Sequence, residues 1–209
     1  INSDPEDSLS WAGYELKYPD LAIAENWDPL YNLVNLVVYS NDEEFINNID
    51  SMLDINNAID YWLFINAIQA NDNSGKNMFI YRYEMGQTLA FTAWDLDLTF
   101  GNKNSVWTEN VSDEKIISNN LFNRMFHLNS NNYRSKVKAR WEQIYSENLY
   151  FDIVSRLNKK INKITTSGAD IRENNRWNIE TDYNQKLQYI ISWLEVRLDY
   201  LDNYIYQYF

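Results

Sequence analysis

Asp72, Asp95 and Asp97 are the residues of this chain whose types and spacing could do chemistry. Asp72 opens the loop Asp72-Asn73-Ser74-Gly75-Lys76-Asn77, which places an amide five residues on, at Asn77. Asp95 and Asp97 lie in the run Trp94-Asp95-Leu96-Asp97-Leu98-Thr99-Phe100-Gly101. One carboxylate can orient or deprotonate an attacking hydroxyl, while a second carboxylate and an amide oxygen hold Mg²⁺ on nucleotide phosphates. On this assignment Asp72 is the base or orienting group, and Asn77 and Asp95 are metal ligands. Lys76 would neutralise charge on a transferring group, although a solvated turn lysine accounts for it equally well. Asp95 and Asp97 are two apart, so on an extended strand both point to one face. There each raises the other's pKa unless a cation sits between them. Oxygen donors without His or Cys suit Mg²⁺, Mn²⁺ or Ca²⁺ rather than zinc. Asp95 is the favoured main ligand because it meets the strand end first. Plainer readings stand beside these: an Asx-type turn at Asp72, and an alternating strand end with Trp94, Leu96 and Leu98 buried behind exposed aspartates.

Elements must hold these residues. Ile55, Ala58, Ile59, Trp62, Leu63, Ile65 and Ile68 recur at helical spacing and predict a helix from Asp54 to Asn71 that delivers Asp72. Residues 78–83 and 88–94 predict two strands joined by Glu84-Met85-Gly86-Gln87, the second running into Asp95. Upstream, residues 11–18 read as a strand ending at Pro19, and Ser40 with Glu43 reads as a capping box for a helix through about Leu53. The polar stretch Asn102 to Asp113 is either an activation-segment-like loop or a connector. Spans near 115–128, 132–146, 149–165 and 181–205 show three-four spacing and predict helices. The expected fold is α+β and predominantly helical, a single domain over residues 1–209 with a small β-hairpin at its active face.

Composition removes several classes. A net charge of −12, from 18 Lys and Arg against 30 Asp and Glu, argues against a nucleic-acid binder and against docking on anionic lipid. It leaves ATP binding open, since a few local cations and a metal suffice. With no Cys and one His, His127, thiol nucleophiles, disulfides, histidine triads and multi-His metal sites are excluded. His127 reads as a structural helix residue. No apolar run reaches 18 residues, so no membrane-spanning helix is expected. The first seven residues do not form a signal peptide, and the chain is expected to be a piece of something longer. Hydrophobic residues make up 45% of the chain and aromatics 16%, enough to bury a sizeable core. Most tryptophans are expected there, although one of Trp11, Trp27, Trp62, Trp94 and Trp107 could stack on a base or sugar. Arg124, Arg134, Arg140 and Arg176 could bind phosphate, or simply lie solvated on helices.

Helix, Asp loop with Asn at plus five, strand, turn, strand, Asp is the order in which protein kinases build their catalytic and magnesium-binding centre. More specifically, the sequence resembles the CotH kinase family, the spore coat protein H-like atypical kinases. The resemblance rests on Ile59-Asp60-Tyr61-Trp62, Asn71-Asp72 with Asn77, the strand Met78 to Tyr83, and Ala93-Trp94-Asp95-Leu96-Asp97-Leu98-Thr99-Phe100-Gly101. It continues through Asn120 to Phe126, Asn132-Tyr133-Arg134, Arg140-Trp141 and the terminal helix with Trp193, Arg197 and Leu201. It implies a kinase-like fold that binds ATP and a divalent metal and phosphorylates Ser or Thr of surface or coat proteins, with Asp72 catalytic and Asn77 and Asp95 on the metal. It also implies an extracellular or cell- or spore-surface location, including secreted clostridial proteins linked to cellulosomes. No Gly-rich phosphate loop or strand Lys with a partner Glu precedes Asp72, and Lys17 is a poor candidate. The chain is therefore expected to be the C-terminal portion of the domain, a C-lobe without its nucleotide-covering lobe. Two other readings compete: a non-catalytic assembly module whose acidic cluster binds Ca²⁺ or nothing, and a glycoside hydrolase using Asp72 and Asp95 as a carboxylate pair. The hydrolase reading leaves Asn77 unexplained.

Overall fold

The computed structural model describes residues 10–11, 14–18, 26–103 and 111–209. Trp107 and most of the polar stretch Asn102 to Asp113 therefore lie outside the described residues. Helices dominate, with one short antiparallel hairpin near the site, as expected, and a second near the start that was not.

The central element is α3, Ile55–Ala67, capped by Asp54 Oδ1 accepting from Asn57 N at 3.0 Å. It buries Ile55, Ala58, Ile59, Tyr61, Trp62, Leu63 and Ile65. A helix apolar over so much of its circumference needs neighbours on several sides. Those neighbours are β4 (Ala90–Ala93), α5 (Tyr133–Ser146) and α8 (Tyr183–Tyr208). Val137, Trp141, Leu194, Leu198 and Leu201 complete this core.

The helix stops short of the predicted Asn71. Gln69 turns left-handed (φ 52°), and Ala70 N bonds back to Ile65 O at 2.8 Å, a Schellman-type ending with Gln in the place usually held by Gly. Gln69 is fully buried and donates through Nε2 to Ser112 O at 2.7 Å, which fixes the turn. Asp72 thus sits in a separate 3-10 turn, Asn71–Ser74.

The hairpin pairs β3 (Met78–Tyr81) with β4 in the register Met78↔Ala93, Phe79↔Thr92, Ile80↔Phe91, Tyr81↔Ala90. Both strands are shorter than predicted, and β4 ends before Trp94. Its outer edge is met by α3: Asn57 Oδ1 accepts from Phe91 N at 2.6 Å and Asn57 Nδ2 donates to Phe91 O at 3.2 Å. One asparagine side chain thereby stands in for a third strand. Asn66, also on α3 and fully buried, does the same for the extended chain at Ile117, at 2.8 and 3.0 Å.

Elsewhere the elements differ from expectation in local ways. The predicted strand 11–18 is a tight hairpin, β1 (Ser10–Trp11) with β2 (Tyr14–Glu15). Helix α1, Asp28–Val38, was not legible, and Arg124 caps its end with bonds of 2.9 Å to Leu36 O and Val37 O. Helix α2, Asp42–Met52, is capped by Asn41 rather than Ser40, because Asn41 Oδ1 receives Glu44 N at 2.9 Å while Ser40 Oγ donates back to Leu36 O. Helix α4, Asn120–Leu128, begins five residues later than the predicted 115, since Ile117 is extended against Asn66. Helix α6, Leu149–Thr166, is followed by α7, Ala169–Trp177, which the periodicity did not reveal. Neither contains a fully buried residue; α6 packs against both α7 and α8. No helix among the described residues is long and apolar enough to cross a membrane.

Candidate active site

The two acidic stations predicted from sequence meet at the open end of the hairpin. Asn77 lies just before β3 and Trp94 just after β4, and Trp94 N donates to Asn77 O at 2.9 Å. This extends the strand register by one pair and puts Asp95 next to Asn77. Asp72 enters from the other side through the turn whose end is Gly75. Asn73, 1% exposed, ties the two sides: its Nδ2 donates to Asn77 O at 2.6 Å and to Trp94 O at 2.8 Å. Two converging carbonyl oxygens require the amide nitrogen at that end.

Further bonds hold the turn from outside. Tyr61 of α3 donates its hydroxyl to Asn73 O at 2.6 Å, and burial pushes its phenol pKa up, so it remains a donor. Asn119, the N-cap of α4, donates through Nδ2 to Ser74 O at 2.6 Å while its Oδ1 receives Phe122 N at 3.2 Å. Two helices, α3 and α4, and the hairpin therefore contribute to the position of one six-residue loop.

The candidate side chains themselves are partly open. Asp72 is 30% exposed and Lys76 is 77% exposed, with Nζ 3.8 Å from Asp72 Oδ2. That separation is longer than a charge-assisted hydrogen bond, so Lys76 stands at the rim beside Asp72. Asp95 and Asp97 are both exposed. The extended-strand argument for pairing them does not hold, because β4 ends at Ala93, Asp95 is left-handed (φ 54°), and Asp97 stands in the turn that follows. Asp97 O accepts from Asn102 Nδ2 at 2.9 Å, and Thr99 Oγ1 donates to Leu96 O at 2.7 Å, closing that turn. Asn77 is left-handed too (φ 52°), a conformation that Asn and Asp tolerate better than other non-glycine residues.

Beyond Asp97 the loop is anchored on α8. Phe100 N bonds to Ile68 O at 2.8 Å, and its ring packs edge-on to Trp193 at 6.2 Å. Gly101 has φ 67°, and a Cβ there would lie 2.4 Å from the Trp193 ring, so only glycine fits. Tyr189 donates its hydroxyl to Gly101 O at 2.7 Å. The Phe-Gly pair is thus the packed anchor of this loop. Arg197, 1% exposed, reaches Asn66 O at 2.8 Å and Asp113 O at 2.6 Å, and burial lowers its pKa to about 10. It remains charged at neutral pH and ties α8 to the end of α3 and to the far side of the loop.

Trp94 and Phe79 expose one face of the hairpin, their rings 5.9 Å apart. On the other side, a groove of about 320 Å³ opens between α3 and β4, lined in part by Tyr61, Phe64, Ala93 and Leu96. The arginines considered for phosphate are mostly engaged elsewhere. Arg140 forms a two-point pair with Asp60 at 2.6 and 3.2 Å, Arg124 caps α1, Arg134 lies over Phe126 and Arg176 over Trp177. His127 stands on α4 beside Phe126.

The sequence matches the family model described as CotH kinase protein over residues 2–201. The chain belongs to the CotH kinase protein family. Membership makes its general function kinase-like. The family match embraces the loop at Asp72, the hairpin and the Asp95 turn together, so the resemblance seen in the motifs extends over nearly the whole chain. No curated protein matches the sequence.

A cation held here would have to bring most of its own ligands. Among the described residues no three His, Cys, Asp or Glu side chains converge as a metal cage. Asn77 and Asp95 offer one amide and one carboxylate. Mg²⁺ is commonly bound by one or two protein carboxylates, with phosphates and water supplying the rest.

Proposed function

We propose that this chain carries the catalytic centre of an ATP- and divalent-metal-dependent protein Ser/Thr kinase acting on surface or coat proteins. Asp72 accepts, or holds in line, the proton of the acceptor hydroxyl, since it is the partly exposed carboxylate on the loop opposite the hairpin exit. Asn77 and Asp95 would hold Mg²⁺ or Mn²⁺; Asp97 is the outer carboxylate, from the turn beyond. When bound, that metal would neutralise charge on the phosphates. Lys76 adds a cation at the rim. The exposed Trp94–Phe79 face offers the base or sugar an apolar surface. The reading includes the location the family resemblance implies, outside the cell or on a cell or spore surface.

The observation that carries this reading is the juxtaposition of Asn77 and Asp95 through one backbone bond, Trp94 N to Asn77 O, with Asp72 on the adjoining turn. A glycoside hydrolase would have no use for Asn77 in that place.

Transfer of labelled γ-phosphate to a generic protein acceptor, or to the chain itself, tests it. Asp72→Asn should lower kcat by about 10²–10⁴-fold, the usual contribution of a positioned base, with Mn²⁺ affinity unchanged. Metal and nucleotide binding without transfer in the wild type would favour the non-catalytic assembly module.

A further inference from the structure

We propose that Asn73 is the positioning residue of this centre, setting the distance between the two metal-side groups rather than touching substrate. The inference rests on the phosphotransferase reading above.

The two carbonyls that Asn73 holds are not arbitrary. Asn77 O belongs to the peptide unit leaving the Asn77 Cα, and Trp94 O to the peptide unit entering the Asp95 Cα. Each unit is attached to a left-handed residue, Asn77 at φ 52° and Asp95 at φ 54°. A left-handed non-glycine residue persists where its surroundings over-determine it. A single buried amide nitrogen, bonded at 2.6 and 2.8 Å, fixes both units at once. The directions in which the Asn77 and Asp95 side chains leave the backbone therefore depend on this amide together with the Trp94 N to Asn77 O bond. Asn73 also follows Asp72 directly, so the same side chain references the base to the metal side.

The amide is itself pinned. Tyr61 OH bonds Asn73 O at 2.6 Å, and Asn119 Nδ2 bonds the next carbonyl, Ser74 O, at 2.6 Å. Asn73 is 1% exposed, out of reach of a substrate. A structural asparagine would serve as well with any two carbonyls; this one takes the two that aim the proposed ligands.

The test is Mn²⁺ affinity, measured with ATP present, set beside thermal stability for the wild type, Asn73→Ala, Tyr61→Phe and Val137→Ala. Val137 is a fully buried core residue of α5 and serves as the control for lost stability. Asn73→Ala should weaken Mn²⁺ binding by about 10–100-fold, the range for partners that orient ligands, while Val137→Ala loses stability with affinity intact. Tyr61→Phe removes one hydroxyl and keeps the ring, so it should fold and shift affinity in the same direction by a smaller factor. It decides the matter if Asn73→Ala does not fold. Wild-type binding with unchanged affinity in the Asn73 variant, or in Tyr61→Phe where that variant is the one read, overturns the positioning role and leaves the kinase reading standing. A wild type that binds no Mn²⁺ with ATP overturns both.

Discussion

The helical body and the hairpin end are built on different physical terms. Around α3, α5 and α8 the fold is held by apolar burial, with Ile65, Val137, Leu194 and Leu201 shut away from water. That force has no direction and scales with area. At the hairpin and the loop before it the decisive contacts are side-chain amides bonding backbone: Asn57 to Phe91, Asn73 to Asn77 and Trp94, Asn119 to Ser74. These bonds are directional, so they fix angles where burial fixes only proximity. The comparison teaches that damage to the body should cost stability, and damage to the hairpin end should cost geometry.

The largest expected effect lies in the body. Trp141 is 1% exposed, stacks on Tyr145 at 5.3 Å and donates to Asp202 Oδ1 at 2.8 Å. Trp141→Ala should cost about 3–5 kcal/mol, read by denaturant unfolding. Metal affinity of the molecules that stay folded should be unaltered; a change in it would break the separation.

Gly101→Ala tests the seam between the two regions. Its φ of 67° and the 2.4 Å approach to Trp193 predict overpacking against α8, worth about 1–3 kcal/mol. Because the loop carrying Asp95 and Asp97 is anchored there, this variant should lose both stability and metal affinity. A variant that lost stability alone would show that the loop is positioned from its hairpin side only.

The smallest effect is electrostatic and concerns Asp113. Burial raises its carboxyl pKa, but Lys103 at 2.8 Å, with Trp193 and Arg197 nearby, outweighs that and holds it below the ordinary value. A depressed folded pKa contributes stability above the unfolded value and loses it as pH falls through the folded one. Asp113 is 48% exposed, and an exposed pair contributes at most about 1 kcal/mol. Asp113→Asn should therefore be slightly less stable than wild type near pH 7. The two unfolding curves should converge as pH falls below the usual Asp range.

What the sequence disclosed follows the same division. Periodicity over Ile55 to Ile68 located α3, and three-four spacing located α5, α6 and α8, because burial writes itself into the order of apolar residues. The hairpin and the succession of Asp72, Asn77 and Asp95 were legible as spacing. The asparagines were not, since Asn57 and Phe91 are 34 residues apart and Asn66 and Ile117 are 51 apart. An amide that replaces a strand partner carries no local signal. Asn73 sat inside the motif and read as turn composition, although its burial makes it the link between stations. The extended-strand reading of Asp95 and Asp97 failed because alternation in Trp-Asp-Leu-Asp-Leu matches a strand that the left-handed Asp95 does not permit.

The central claim is that Asn77 and Asp95 together form the metal side of a phosphoryl-transfer centre. Calorimetric titration with Mn²⁺, with and without ATP, of the wild type beside Asp95→Asn tests it most directly. Asp95 is exposed, so the variant should fold as the wild type does. The account predicts ATP-dependent Mn²⁺ binding that Asp95→Asn abolishes. Equal binding by both proteins, or none by the wild type, would contradict it.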